Sequence, residues 1–333
     1  MPEEDLQIPI VLLNRSVLIV GCGNIGRWHI KGLEQSKHDV TVFVADQNPH
    51  AIQALETFQR VEMRDPSNCS INSIGLSDAE LSKLPKLDLV ICATTAKNRE
   101  ALVSYLNTRV ESSFWLIEKP LEQSLVAMAK LSETMNGQKC FVNHPRRLAP
   151  LHIHLRSELK NKGVIDLTYS SPGFGIACNA SHFIDLVTWV TSALPSHVET
   201  AGLSHEWHET VRKGFFDVTG TLKILFTDGS SVLLDSCPFR EQNKFQFNLN
   251  QEMFCRVSER AGIITYSDGN QKNSEILGQS ALTGIVLDDL CEHGFVDLPS
   301  LALSVECNRL LVNCLLTHWN KFSNSTHASI PIT

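Results

Sequence analysis

The feature that most constrains this chain is a glycine-rich turn directly after a short apolar segment. Residues 16–20 (Ser-Val-Leu-Ile-Val) run into a G-x-G-x-x-G pattern at Gly21, Gly23 and Gly26, and apolar residues then recur at helical spacing. This order predicts a strand, a tight turn and a helix. Gly21 permits the turn, Gly23 lets a pyrophosphate approach the backbone, and Gly26 allows close helix packing. Because the first N–H groups of a helix, here near Asn24 and Ile25, face a bound phosphate, the stretch predicts dinucleotide binding.

An acidic residue after the second apolar segment indicates which dinucleotide binds. Val40–Ala45 ends at Asp46, 20 residues after Gly26. An acid at this point accepts hydrogen bonds from the ribose hydroxyls and repels a 2′-phosphate, and Gln47 and Asn48 supply no arginine to offset it. The pattern therefore favours NAD over NADP. The alternative is a glycine turn in another α/β protein with an incidental aspartate.

The order of predicted elements divides the chain into two domains. Strands alternate with helices through residue 143, which predicts an α/β Rossmann domain with a doubly wound parallel sheet over residues 1–143. Residues 144–333 change character. They contain a predicted hairpin around Asp228-Gly229 and a predicted final helix over about 301–319. We therefore expect a C-terminal α+β domain with an open, mostly antiparallel sheet, for substrate binding and oligomerisation.

Local signals place further elements in the first domain. Asn48-Pro49 predicts the start of a helix through about residue 58, and residues 61–63 predict a short strand. A buried strand at 87–93 ends at Thr94 and Thr95. Because the carboxyl end of a parallel strand faces the ligand crevice, we expect these hydroxyls to line the nicotinamide side of the cofactor site, to cap the next helix, or to do both.

Composition excludes several classes of function. A formal charge of −7 and a pI near 6.0 provide no basic surface for nucleic acid or an anionic membrane. No apolar run approaches the roughly 18 residues of a membrane span. The acidic N-terminus lacks the pattern of a secretion signal, so we expect a cytoplasmic enzyme. The ten cysteines form no C-x-x-C pair, and His152/His154 and His205/His208 lack ligand spacing. We expect reduced thiols, histidines in packing or surface positions, and no metal.

Two further motifs carry candidate chemistry. Glu118-Lys119-Pro120 places a charged pair at the end of a buried strand, and His182-x-x-Asp185 lies where small polar residues open a helix. Together with the glycine turn, in this order, they resemble the glucose-fructose oxidoreductase and inositol dehydrogenase family, Gfo/Idh/MocA. The resemblance covers nearly the whole chain. It implies NAD(P)-dependent oxidation or reduction of a CH–OH group in a sugar or polyol, and a homo-oligomer formed through the C-terminal sheet.

The resemblance also implies roles for these residues. Lys119 lies near the substrate hydroxyl and the nicotinamide and stabilises charge on oxygen, while His182 takes or returns the hydroxyl proton. Glu118 orients Lys119 or the cofactor amide. Asp185 binds a substrate hydroxyl or simply fixes the histidine. Without the family context, Lys119 reads as a surface charge at a strand end and His182 as a histidine satisfied by its neighbours.

One departure from the family pattern bears on the substrate. Many members carry an aspartate four residues before the histidine, where this chain has Cys178, with Asn179 beside it as a further substrate-binding candidate. We expect a subgroup with its own substrate, such as an anionic or amino sugar of surface-polysaccharide metabolism whose acidic group contacts Arg146 or Arg147. The alternative for Arg147 is an interdomain ion pair. Two other functions stay open: a non-catalytic NAD(P)-binding sensor, and an internal-redox enzyme that retains NAD.

Overall fold

The structure is a computed structural model that describes residues 14–63, 68–237 and 243–333. In these ranges the chain forms two sheets, each covered by helices. No helix in the described ranges has the length and apolar character to cross a membrane.

The first sheet is parallel and carries the glycine turn. Its strands are β1 Asn14–Val20, β2 Asp39–Ala45, β3 Cys69–Ser73, β4 Leu87–Cys92, β5 Ser112–Ile117 and β6 Cys140–Val142. Their order is β3-β2-β1-β4-β5-β6, with parallel pairing throughout. The connecting helices are α1 Asn24–Leu33, α2 Pro49–Glu62, α3 Asp78–Leu81, α4 Arg99–Asn107 and α5 Leu125–Thr134. Since β1 and β4 are buried on both faces, their apolar runs are continuous rather than alternating.

The second sheet is mostly antiparallel. Helix α6, Pro150–Leu159, precedes its first strand, and helix α7, Ile176–Thr191, follows that strand. The strands are β7 Ile165–Ser170, β8 Pro195–Glu209, β9 Phe216–Phe226, β10 Ser231–Ser236, β11 Lys244–Leu249, β12 Glu252–Ser258, β13 Ile263–Tyr266 and β14 Gln271–Asn273. The order is β14-β13-β12-β11-β7-β10-β9-β8, in which β7 and β10 are parallel neighbours. The core of this region lies between the sheet, α7 and the final helix, α9 Leu301–Ser323.

One helix of the C-terminal region belongs to the N-terminal core. Helix α8, Gln279–His293, packs on α1 through Gly284, which leaves too little room for a larger residue against the Gly32 carbonyl. Leu282, Val286 and Leu290 are buried together with apolar side chains of the parallel sheet. The division predicted at residue 143 therefore does not describe α8, which the second half of the chain contributes to the first domain's core.

The predicted fold class is confirmed, and several local predictions are too. Asn48 caps α2 by accepting a hydrogen bond from the backbone N–H of His50, and β9 and β10 form the predicted hairpin. The strand predicted at residues 61–63 is wrong, because α2 continues to Glu62. The alternative that Thr94 or Thr95 caps the next helix is also wrong, since α4 begins at Arg99 after Asn98.

Candidate active site

One cavity of about 1040 Å³ collects most of the predicted site residues. It opens where the carboxyl ends of β1, β2, β4 and β5 face the start of α7. Twelve predicted residues line it: Gly21, Gly23, Asn24, Ile25, Asp46, Thr94, Thr95, Glu118, Lys119, Arg146, Asn179 and His182. Four do not: Gly26, Arg147, Cys178 and Asp185. All the predicted nucleotide-binding residues except Gly26, and both predicted catalytic residues, therefore border a single space.

The glycine turn has the geometry that a bound pyrophosphate requires. Gly21 has a φ of +99°, and a Cβ there would lie 2.8 Å from the backbone of Ala93 and Thr94. A Cβ on Gly26 would lie 1.9 Å from the carbonyl oxygen of Gly21, whereas one on Gly23 would meet nothing within 4 Å. Gly21 and Gly26 thus serve packing, and Gly23 leaves open space on the cavity side.

Asp46 connects this turn to the second strand. Its Oδ2 accepts a hydrogen bond of 2.7 Å from the backbone N–H of Cys22, and its Oδ1 accepts one of 2.8 Å from that of Asn48. Each carboxylate oxygen has a further lone pair for a ribose hydroxyl. Arg27, which directly follows the glycine turn, donates to Asn24 Oδ1 at 2.7 Å. Thr94 Oγ1 is buried at the cavity without a hydrogen-bond partner. Open space at Gly23 and this unpartnered hydroxyl fit a dinucleotide.

Glu118 and Lys119 follow β5, where the strand enters the cavity. Glu118 is buried and accepts hydrogen bonds from Asn143 and His29, the latter at 3.0 Å. Burial raises the pKa of Glu118, but the bonds from His29 and Asn143 and the charge of Lys119 outweigh it and lower the pKa overall. Lys119 Nζ donates to the carbonyl of Cys178 at 3.4 Å, and burial lowers the pKa of the ammonium.

A buried arginine that the sequence analysis did not single out fixes this loop. Arg99 donates to the backbone carbonyls of Thr94, Glu118, Pro120 and Leu121. It therefore joins the loop after β4 to the loop after β5 and holds the Lys119 backbone in place. Nothing in the spacing of residue 99 and these loops identifies the contact in the sequence.

His182 lies on the first turns of α7, at the opposite side of the cavity from the glycine turn. Its pKa is well below the usual range because burial disfavours the charged form, and the charges of Lys119, His144 and Arg146 act in the same direction. The imidazole is therefore neutral near pH 7 and able to accept a proton. Its Nδ1 lies 3.2 Å from Nδ1 of His144.

Arg147 and Asp185 are brought together away from the cavity. The Nε and Nη2 atoms of Arg147 donate to the two oxygens of Asp185 at 2.9 and 2.7 Å, and both side chains are buried. Among the described residues no hydrogen bond joins Asp185 to His182, and Asp185 does not line the cavity. This geometry favours an ion pair for Arg147 over contact with a substrate. Both partners lie in the predicted C-terminal domain, so the pair is not the interdomain one that was expected.

One side of the cavity is a charged wall formed by Arg146, His152 and Glu259. The sequence did not point to Glu259. Arg146 donates to both oxygens of Glu259 at 2.7 and 3.0 Å, and His152 Nε2 lies 2.7 Å from Glu259 Oε1. Burial raises the pKa of Glu259, but the bond from His152 and the charge of Arg146 outweigh it and lower the pKa well below its usual range. All three line the cavity. Glu259 comes from the end of β12, far along the chain, so local pattern does not connect it with Arg146.

The remaining features concern metals and thiols. In the ranges that the structure describes, no group of three or more histidine, cysteine, aspartate or glutamate side chains is arranged to hold a metal ion. All ten cysteines lie within those ranges as free thiols. Burial raises the pKa of Cys178 to about 12, and the neighbouring Asp217 adds to the effect.

Residues 15–144 match a family model described as the GFO_IDH_MocA oxidoreductase family, NAD-binding Rossmann fold. Over this N-terminal region the chain therefore matches the NAD-binding domain of the Gfo/Idh/MocA oxidoreductases. The match confirms, for these residues, the resemblance drawn from the sequence and the expectation of an NAD-binding domain. A comparison with curated proteins gave no significant match.

Solved structures share the fold of this chain over most of their lengths. The UDP-N-acetylglucosamine 3-dehydrogenase GnnA of Acidithiobacillus ferrooxidans is 17% identical, with a TM-score of 0.65 over 93% of this chain and 99% of that one. Scyllo-inositol dehydrogenase of Lactobacillus casei, with bound NAD(H) and scyllo-inositol, is 11% identical, with a TM-score of 0.64 over 90% and 96%. Biliverdin reductase of Synechocystis sp. PCC 6803, with biliverdin and NADP+, is 16% identical, with a TM-score of 0.65 over 90% and 98%. At these identities the likeness establishes the fold alone.

Proposed function

We propose that this protein is an NAD-dependent oxidoreductase that transfers hydride between nicotinamide and a CH–OH or carbonyl carbon of a sugar, polyol or sugar-acid derivative. The observation that carries the proposal is the shared cavity, in which Lys119 and His182 border the same space as the glycine turn and Asp46. A redox reaction at a carbinol carbon needs a hydride acceptor, a proton acceptor and a group that stabilises charge on oxygen. The cavity offers residues that would hold NAD+ as the hydride acceptor, and it supplies a residue for each of the other two tasks.

Bound NAD+ would supply the hydride acceptor, and this chain's residues would do the rest. The open space at Gly23 receives the pyrophosphate, and Asp46 receives the ribose hydroxyls. Since Asp46 repels a 2′-phosphate and Arg27 is engaged by Asn24, NAD is favoured over NADP.

His182 would accept or return the hydroxyl proton, and Lys119 would stabilise the charge on the reacting oxygen. Because His182 is neutral near pH 7, it accepts the hydroxyl proton as the carbonyl forms and returns it in the reverse direction. Lys119 donates a hydrogen bond to the reacting oxygen and stabilises its developing charge. Thr94 and Thr95 face the nicotinamide end of the cavity, and Glu118 orients Lys119 through the backbone they share.

The substrate class rests on two further considerations. The solved structures that share this fold include a nucleotide-sugar dehydrogenase and an inositol dehydrogenase. Arg147 is paired with Asp185, and Arg146 with Glu259, so each arginine already has a carboxylate partner. This weakens the case for an anionic sugar and favours a neutral, hydroxyl-rich substrate. A role in surface-polysaccharide metabolism, a homo-oligomer formed through the C-terminal sheet and a cytoplasmic location stay predictions from the sequence.

A cofactor-reduction screen tests the proposal. Purified protein with NAD or NADP is offered polyols, aldoses, amino sugars, sugar acids and nucleotide sugars, and NADH formation is followed by absorbance. We expect turnover on one class with NAD. Lys119→Ala should reduce kcat by about 10²- to 10³-fold with little change in NAD affinity. Lys130→Ala, which removes an exposed lysine on α5, is the control and should behave as wild type.

Other outcomes would assign the cavity differently. NAD binding without turnover of any compound would contradict the proposal. Protein that then released NAD only on denaturation would indicate an internal-redox enzyme. Protein that bound NAD reversibly without any reaction would indicate a sensor.

A further inference from the structure

Behind His182 lies a second histidine that the proposed mechanism does not use. His144 follows β6 and is 1% exposed. Its backbone is held on both sides, since its N–H donates to the carbonyl of Val142 at 2.9 Å and its carbonyl accepts from Arg147 at 3.1 Å. The two imidazole rings meet edge to face, with centroids 5.2 Å apart and planes at 89°. His144 is therefore a fixed partner for the His182 ring.

The space between the two Nδ1 atoms holds a single hydrogen atom, which belongs to one ring and is accepted by the other. Their Nδ1 atoms are 3.2 Å apart, so when both rings are neutral one Nδ1 carries a proton and the other accepts it. The two histidines must then have opposite tautomers. Among the described residues none is hydrogen bonded to Nε2 of His182, so this nitrogen is left for a ligand in the cavity that His182 lines.

The surrounding charges decide which ring donates. Lys119 and Arg146 border the same cavity as His182, and a lone pair on Nε2 is more favourable towards these cations than an N–H group. That tautomer of His182 places its proton on Nδ1. Burial lowers the pKa of His144, whose charged neighbours are Asp185 and Glu118 on the one hand and Arg147 and Lys119 on the other. His144 therefore stays neutral, and its Nδ1 accepts the hydrogen bond from Nδ1–H of His182.

Among the described residues, no carboxylate accepts a hydrogen bond from Nδ1 of His182 in place of His144. Asp185 is hydrogen bonded to Arg147, and the Cys178 thiol, with its pKa raised to about 12, stays neutral. His144 is the side chain within hydrogen-bond distance of His182 Nδ1.

We propose that His144 is a positioning residue for this site: it accepts the Nδ1 proton of His182 and holds that ring in the tautomer whose bare Nε2 faces the cavity. The proposal rests on the proposed function, in which His182 is the proton acceptor. During oxidation the hydroxyl proton moves to Nε2. Bound NAD+ would take the hydride from the carbon that bears this hydroxyl. The resulting imidazolium keeps its Nδ1–H bond to His144, so no other hydrogen bond has to break. In reduction Nε2 returns the proton to the alkoxide oxygen.

Histidine tautomers in the full-length protein test this without any substrate. Protein labelled with ¹⁵N-histidine is examined by long-range ¹H–¹⁵N NMR, and the His182 signals are assigned from their loss in His182→Gln. We expect wild-type His182 to carry its proton on Nδ1 and His144 to carry its proton on Nε2. In His144→Phe, which keeps a ring but removes the acceptor, His182 should shift towards the Nε2–H tautomer. His197→Phe, at an exposed histidine on β8, is the control.

Kinetics with the substrate found in the screen separate positioning from mere packing. His144→Phe should lower kcat by about 10²-fold, the size of a general-base contribution, with KM for NAD unchanged. His144→Asn, whose amide oxygen accepts from Nδ1–H, should restore the tautomer and recover kcat to within about 10-fold of wild type. Thermal melting identifies any variant that fails to fold.

Two results would overturn the proposal: wild-type His182 with its proton on Nε2, or a His182 tautomer that is unchanged in His144→Phe. If the wild type oxidises no compound in the screen, the proposed function fails instead, and the NMR result still decides whether His144 sets the tautomer.

Discussion

Replacing Arg147 with leucine tests whether this arginine stabilises the fold or binds a substrate. Two hydrogen bonds of 2.9 and 2.7 Å join it to Asp185, and both side chains are only 6% exposed. The guanidinium also lies 5.8 Å from the ring of Trp189. In Arg147→Leu the Asp185 carboxylate stays buried without its cation. Removing one partner of a buried pair costs about 3–5 kcal/mol of unfolding free energy.

The assay is thermal unfolding at pH 7. A loss of about 3–5 kcal/mol corresponds to a decrease in melting temperature of roughly 5–15 °C. Arg309→Leu is the matched control, because its partner Glu306 lies 3.5 Å away and the two side chains are 62% and 52% exposed. Exposed ion pairs contribute little, so this variant should melt close to wild type. Arg147→Leu combined with Asp185→Leu should regain most of the lost stability, since no unpaired charge then remains buried.

A different pattern would refute this reasoning. If Arg147→Leu melted within about 2 °C of wild type while KM for the carbohydrate rose, the arginine would act on the substrate and the ion pair would not support the fold.

Two other perturbations test the nucleotide turn and the charged wall. Gly26→Ala should lower the melting temperature of the nucleotide-free protein, because its Cβ would lie 1.9 Å from a backbone oxygen. Gly23→Ala, with nothing within 4 Å, should leave that temperature unchanged and instead weaken NAD binding in calorimetry, so equal behaviour of the two variants would contradict the assignment. Glu259 has a folded-state pKa below its unfolded value near 4.3, so its stabilisation is present above that pH and is lost as the pH falls. Melting temperatures measured between about pH 5 and pH 3 should therefore decrease less in Glu259→Gln than in wild type, and parallel curves would exclude the effect.

The parts of the fold that the sequence predicts are those set by local chemistry. The glycine turn requires residues without a Cβ, Asn48 caps the helix that it precedes, and Asp228-Gly229 forms a hairpin turn between two alternating strands. Each of these signals depends on neighbours within a few residues. For this reason the order of elements through the parallel sheet could be predicted.

Two elements were missed because their patterns are set by distant partners. Strand β8 has register shifts against β9, so its buried residues Val198, Leu203 and Trp207 do not alternate. Helix α8 buries Thr283 and Asp288, which look like surface residues in the sequence. Thr283 is hydrogen bonded to His29, and Asp288 to Ser36, about 250 positions earlier in the chain.

The candidate site divides in the same way. The motifs around Gly21 and Lys119, and His182 with its family context, point to the cavity from the sequence. The sequence does not reveal the partners that set the chemistry of these residues. Glu259 is bonded to Arg146, 113 positions away in the chain, and His144 to His182, 38 positions away. Such pairings follow from tertiary packing, which a single sequence does not display.

The position of α8 has a consequence for how the two halves of the molecule are connected. The chain leaves the parallel sheet after β6, comes back to it as α8, and departs again into α9, so three separate crossings join the halves. If a single linker joined the two halves, they could rotate about that one segment of chain. Three crossings restrict rotation of one half against the other, because all three connecting segments would have to change conformation together. Cutting the chain at one crossing would leave the halves tied at the other two, and residues 14–143 alone would lack part of their own core.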